Sequence, residues 1–181
     1  MLKSLGRWIV EQVADPVRRF IPLFLLYLAG IVSFSFGIET FPNLVDRLSE
    51  SAALLCYWML VPFTEHVSIS GTIVTYDGFN VQVIGECTGV MEFMIFGAAL
   101  LAYRVSWSKR LIGVLIGIPT LFVFNVIRIV GLLFVGRYAS EMFDIAHIYF
   151  WQAGTVLVIC GLWMAWIHFV VREDGRSSLR T

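Results

Sequence analysis

The chain has 181 residues, 59% of them hydrophobic and 14% charged, with a formal net charge of zero. That balance excludes an ordinary soluble domain, and the lack of basic patches excludes a nucleic-acid binder. A single integral-membrane domain over 1–181 is expected, with the lipid bilayer as its solvent.

Residues 1–16 set Leu2, Leu5, Trp8, Ile9 and Val13 opposite Lys3, Arg7 and Glu11, the pattern of an amphipathic helix lying on a membrane surface. Asp15-Pro16 interrupts it. Apolar runs at 20–38, 88–105, 110–136 and 147–171 each approach or exceed the roughly 20 residues that cross the hydrocarbon, so four spans are expected. The first is too long for a signal-peptide core and lacks a small-x-small exit, so it reads as an uncleaved span. Residues 43–63 carry Asp46, Arg47 and Glu50 in their first half. Only about a dozen apolar residues follow, which suits an interfacial or re-entrant helix better than a crossing. Between 67 and 84, Val67, Ile69, Ile73, Val81 and Val83 support strands around Asp77-Gly78, predicting a small β-hairpin. The fold class expected is an all-α polytopic membrane protein of about four transmembrane helices, with these smaller elements added.

Charge orients the spans. Lys3, Arg7, Arg18, Arg19, Arg104, Lys109, Arg110, Arg172, Arg176 and Arg180 fall on one side if 43–63 does not cross. The opposite side then holds Arg47 and Arg137 against Glu39, Asp46, Glu50, Glu65, Asp77, Glu86, Glu141 and Asp144. The positive-inside rule makes the basic side cytoplasmic, with both termini, and puts the hairpin outside.

The third run contains Pro119, Asn125 and Arg128. An arginine within a span is costly and needs a partner. Arg128 lies eight residues from Gly136, or about 12 Å along the helix. Glu92 lies five residues past Cys87, or roughly 8 Å. Their depths match, so a Glu92–Arg128 contact is expected. Asn125 shares the helical face of Arg128. Cys87, just before the second apolar run, would meet a helix N-terminus that favours its thiolate. His147 starts the last run on the same side.

A thiol, a guanidinium and an imidazole from three spans are a nucleophile, a fixed cation and a proton carrier. Glu86 is a candidate to orient the histidine. Blander readings stand beside this. A buried cysteine is commonly structural, and an interfacial histidine is commonly an amphipathic side chain. Glu92 and Arg128 would equally suit a structural pair in a non-catalytic transport or assembly subunit, and Cys87 a membrane thiol-redox protein. Cys56, Cys87 and Cys160 show no zinc-type or C-x-x-C spacing. His147 and His168 are about 31 Å apart along one helix, too far to share a haem. No cofactor and no metal is expected. A Cys56–Cys87 disulfide is not expected either, since nothing in the sequence places the two together.

Glu86-Cys87-Thr88-Gly89 opening a span, Asn125-Val126-Ile127-Arg128 inside the next, and His147 opening the last resemble the exosortase/archaeosortase family. Its members carry an E-C-[ST]-G-like motif, an N-x-x-R motif and a downstream histidine. The likeness runs from about Val81 to Trp151 and is to the compact bacterial exosortases, without the additional spans or soluble domains of larger members. It implies a cysteine transpeptidase or protease in the bacterial inner membrane with its site on the periplasmic side. Its substrates would be exported proteins with a C-terminal sorting signal: a short motif, a hydrophobic helix and a basic tail. By that resemblance Cys87 is the nucleophile, Arg128 the thiolate or oxyanion stabiliser and His147 the acid/base. The acceptor of the acyl group, whether lipid, glycan or water, is left open.

Overall fold

The computed structural model describes residues 16–37 and 41–171. The amphipathic helix expected over 1–16 therefore lies outside the described residues, apart from Pro16. Helix α1 (Pro16–Gly37) begins at that proline, whose fixed φ and missing N–H suit a first helical position. It packs chiefly on α3 (Val90–Ala102), and its Phe20 ring sits 5.2 Å from that of Trp163. Its outer face exposes Ile21, Leu25, Leu26, Phe34 and Phe36, a surface that hydrocarbon solvates and water does not.

Among the described residues three helices are long and apolar enough to cross a membrane: the α1 segment Arg19–Phe36, α4 (Trp107–Tyr138) and α5 (Ser140–Val171). The fourth span expected, over 88–105, forms only the 13 helical residues of α3. At 1.5 Å per residue that is about 20 Å, short of the hydrocarbon thickness. A 3-10 turn at Gly85–Cys87 takes up the chain before it. The last span also differs: α5 starts at Ser140, so His147 lies inside it, on a π-helical turn at Ala146–Phe150, and does not open it.

The region 43–63 is helix α2 (Phe41–Leu60). Its Ala52, Ala53, Cys56 and Leu60 form one buried face, and the two alanines let the helix close on α4. The hairpin expected over 67–84 is a three-stranded antiparallel sheet: β1 (Val67–Ser70), β2 (Ile73–Tyr76) and β3 (Phe79–Gln82). Asp77 and Gly78 turn β2 into β3 with φ of 47° and 83°, the left-handed pair that a two-residue hairpin loop requires. The unforeseen turn is Gly71-Thr72, between paired Ser70 and Ile73.

Buried side chains form two clusters. One joins α2, the sheet and α4 through Cys56, Leu60, Val74, Val83, Val126, Ile129 and Leu133, and includes Cys87. The other joins α3, α4 and α5 through Phe96, Leu100, Leu121 and Trp166. Around the second, Trp166 Nε1 donates to the Lys109 carbonyl (2.9 Å) and Arg110 Nη2 to that of Tyr103 (3.2 Å). This end carries the basic residues. The opposite end carries the sheet, where Arg137 Nε donates to Asp77 Oδ2 at 2.6 Å.

Candidate active site

Cys87 ends the 3-10 turn and is 8% exposed. The turn is built by its neighbours. Cys87 N–H donates to the Ile84 carbonyl at 2.8 Å, and the fully buried Thr88 hydroxyl donates to the Gly85 carbonyl at 2.6 Å. That second bond gives the buried hydroxyl its acceptor, and it ties Thr88 to a turn carbonyl that also takes the Thr88 N–H at 3.2 Å. Gly85 lets α2 approach, since a Cβ there would press on Val45 Cγ1 at 2.8 Å. Gly89 then adopts φ 81° and leads into α3, where no side chain caps the helix. The thiol thus precedes an uncapped helix N-terminus by two residues.

Helix α4 supplies the facing groups. Arg128 Nη1 lies 3.9 Å from Glu92 Oε1 in the first turn of α3, with both side chains largely buried. Asn125, one turn earlier, is 1% exposed and lies against Gly89. Among the described residues neither Nδ2 nor Oδ1 of Asn125 has a hydrogen-bond partner, and the same holds for Arg128 Nε.

Of the residues singled out in the sequence, Cys87, Glu92, Asn125 and Arg128 thus gather at the α3–α4 contact. His147 does not join them by any direct contact among the described residues. Its ring stacks on Phe143 at 5.9 Å, and Phe143 packs in turn on Phe79 of β3. Glu86 is exposed, and no bond among the described residues ties it to His147.

Cys56 was not among the residues singled out for the site. Its Sγ donates to the Val126 carbonyl at 3.8 Å, and it shares the buried cluster of Cys87. Nothing in the sequence places these two cysteines together, yet the fold gathers both into one buried cluster, as free thiols. Burial pushes the Cys56 thiol up to about 12, which makes it an inert neighbour and not a second nucleophile. The sequence carried one signal, since Ala52, Cys56 and Leu60 recur at four-residue spacing on one α2 face. An apolar cavity of about 130 Å³ lies elsewhere, lined by Phe96, Gly117, Leu162 and Trp166 among others, and it includes none of the candidate residues.

The family model described as transmembrane exosortase (Exosortase_EpsH) matches residues 14–168. Neither a curated protein nor a solved structure matches the chain. The match spans all five described helices and the sheet, and with it this multi-pass membrane protein belongs to the transmembrane exosortase family.

Proposed function

We propose that the chain is a membrane-embedded cysteine transpeptidase or protease that cleaves C-terminal sorting signals from exported proteins. Cys87 attacks the peptide bond after the short motif, Arg128 stabilises negative charge at the site, and His147 takes the thiol proton and returns it to the leaving amine. A thioester results, and an acceptor or water releases it. The observation that carries this reading is the placement of Cys87 at an uncapped helix N-terminus, with a largely buried arginine held against that helix's first turn. Both features put positive electrostatic potential at the end of α3 that Cys87 precedes.

In this reading the basic end faces the cytoplasm of a bacterial inner membrane and the sheet caps the site from the periplasmic side. His147 serves from α5, where the π turn re-aims its side chain; such turns often occur at functional sites. A non-catalytic transport or assembly role fits the Glu92–Arg128 pair equally, but gives the uncapped cysteine turn no task. The test is mass spectrometry of the new C-terminus of an exported protein bearing a short motif, an apolar helix and a basic tail. Co-expression with the wild type should produce a truncated chain, and Cys87→Ala and Cys87→Ser should not. Processing that survives both substitutions would refute the enzyme.

A further inference from the structure

Asn125 is a buried polar side chain at the head of α3, and its carboxamide is unused among the described residues. It is 1% exposed, and neither the nitrogen nor the oxygen has a partner. Buried amides are nearly always hydrogen-bonded, so an idle one needs an explanation. Its position supplies one. A Cβ on Gly89 would run into the Asn125 Nδ2, so the amide occupies the space that any other residue at 89 would fill. Gly89 is the N-cap of α3, and the first bond of that helix runs from Phe93 N–H to the Gly89 carbonyl. The N–H groups of Val90, Met91 and Glu92 precede that bond and have no intrahelical acceptor. No side chain caps them. The carboxamide thus lies at the head of α3, beside the N-cap residue and two residues past the thiol.

We propose that Asn125 and the leading N–H groups of α3 form the oxyanion-binding site for the carbonyl that Cys87 attacks. This rests on the cysteine-enzyme reading above and assigns Asn125 a role distinct from that of Arg128. The charge of Arg128 is balanced by Glu92 at 3.9 Å, whereas the neutral Asn125 amide carries donors with no partner among the described residues. In the acylation step the Cys87 thiolate forms a C–S bond to the carbonyl carbon, and the π pair moves onto oxygen. The amide and backbone donors hold that oxyanion. Collapse restores the C=O, breaks the C–N bond and releases the amine, which takes its proton from the imidazolium. Water-excluded donors of this kind need no reorganisation as the charge appears.

Two small probes separate this role from a structural one. Iodoacetamide alkylates a thiolate by displacement and forms no oxyanion, whereas 4-nitrophenyl acetate acylates it through a tetrahedral oxyanion. Both are applied to the full-length protein in detergent, with Cys87→Ala as the blank. Asn125→Leu keeps roughly the shape, and Asn125→Asp replaces the amide donor. Each should slow the nitrophenolate burst by roughly 100- to 1,000-fold while alkylation of Cys87 stays within about threefold of wild type. Equal acylation rates in wild type and variants would overturn the oxyanion site alone. A parallel loss in both reactions would mark a structural role and overturn it too. A wild-type Cys87 inert to both probes would remove the enzyme reading itself.

Discussion

Arg128 of α4 and Glu92 of α3 face each other with Nη1 and Oε1 3.9 Å apart, their side chains only 13% and 12% exposed. The separation exceeds hydrogen-bond length, so this is an ion pair without a shared proton. It answers the cost of an arginine at membrane depth, since each charge neutralises the other. Deleting one partner strands the other in a low dielectric, which costs about 3–5 kcal/mol for a fully buried pair. Arg128→Ala and Glu92→Ala should each lower the apparent melting temperature in detergent, and the double variant should recover part of that loss. A double variant whose shift equals the sum of the singles would show that the two charges are not coupled.

Gly89→Ala should be among the most damaging single-methyl changes in the chain. The φ of 81° strains any L side chain, and the added Cβ meets the Asn125 carboxamide. The backbone term alone is about 1–2 kcal/mol, and the collision adds to it. Displacing Asn125 also moves the start of α3, so loss of Cys87 acylation should exceed what the melting shift explains. Gly30→Ala, where nothing lies within 4 Å of an added Cβ, serves as the control and should leave both stability and acylation close to wild type.

Much of this arrangement was legible from local pattern. Apolar length located α1, α4 and α5, and depth counting paired Glu92 with Arg128, because both signals live in one dimension. The failures share a different cause. The third strand hid behind Gly71-Thr72, a loop with one left-handed glycine where Asp77-Gly78 offers two left-handed residues. Helix α3 was overestimated because the run read over 88–105 takes in Thr88 and Gly89, which are held in a turn, and Tyr103 to Val105, which lie past the helix end at Ala102. Cys56 lies 70 residues from Val126, whose carbonyl its thiol meets, and no periodicity reports such a contact. His147 stood at the edge of an apolar run, yet α5 continues about two turns beyond it, back to Ser140, through Glu141 and Asp144.

Cys56 and Cys87 should respond oppositely to alkylating reagents. Burial raises the Cys56 thiol from an ordinary value of 9.0 to about 12, so it stays protonated and unreactive at pH 8. At pH 8, iodoacetamide should modify Cys87 and spare Cys56 until the protein is unfolded, as read by peptide mass spectrometry. Stability follows the same shift. Below about pH 9 the thiol is protonated in both folded and unfolded chains; above it only the unfolded chain releases the proton, so folding weakens steadily toward pH 12. Between pH 8 and 10.5 the loss is at most about 2 kcal/mol. Cys56→Ala should show a smaller drop in melting temperature across that interval, and an equal drop would assign the alkaline loss to other groups.

The Asp77–Arg137 pair is short, at 2.6 Å, yet the two side chains are 37% and 42% exposed. Ion pairs this open contribute little, because water and salt screen them. Asp77 does a second thing, since its φ of 47° makes it the first residue of the left-handed turn between β2 and β3. Asparagine tolerates that conformation and lacks the charge, whereas valine has neither property. Asp77→Asn should therefore leave the melting temperature nearly unchanged and insensitive to added salt. Asp77→Val should lower it by several degrees and loosen the sheet that packs on the Cys87 cluster, raising the iodoacetamide labelling of Cys56. Should the asparagine variant prove as damaging as the valine one, the charge and not the turn would hold β2 and β3 over α4.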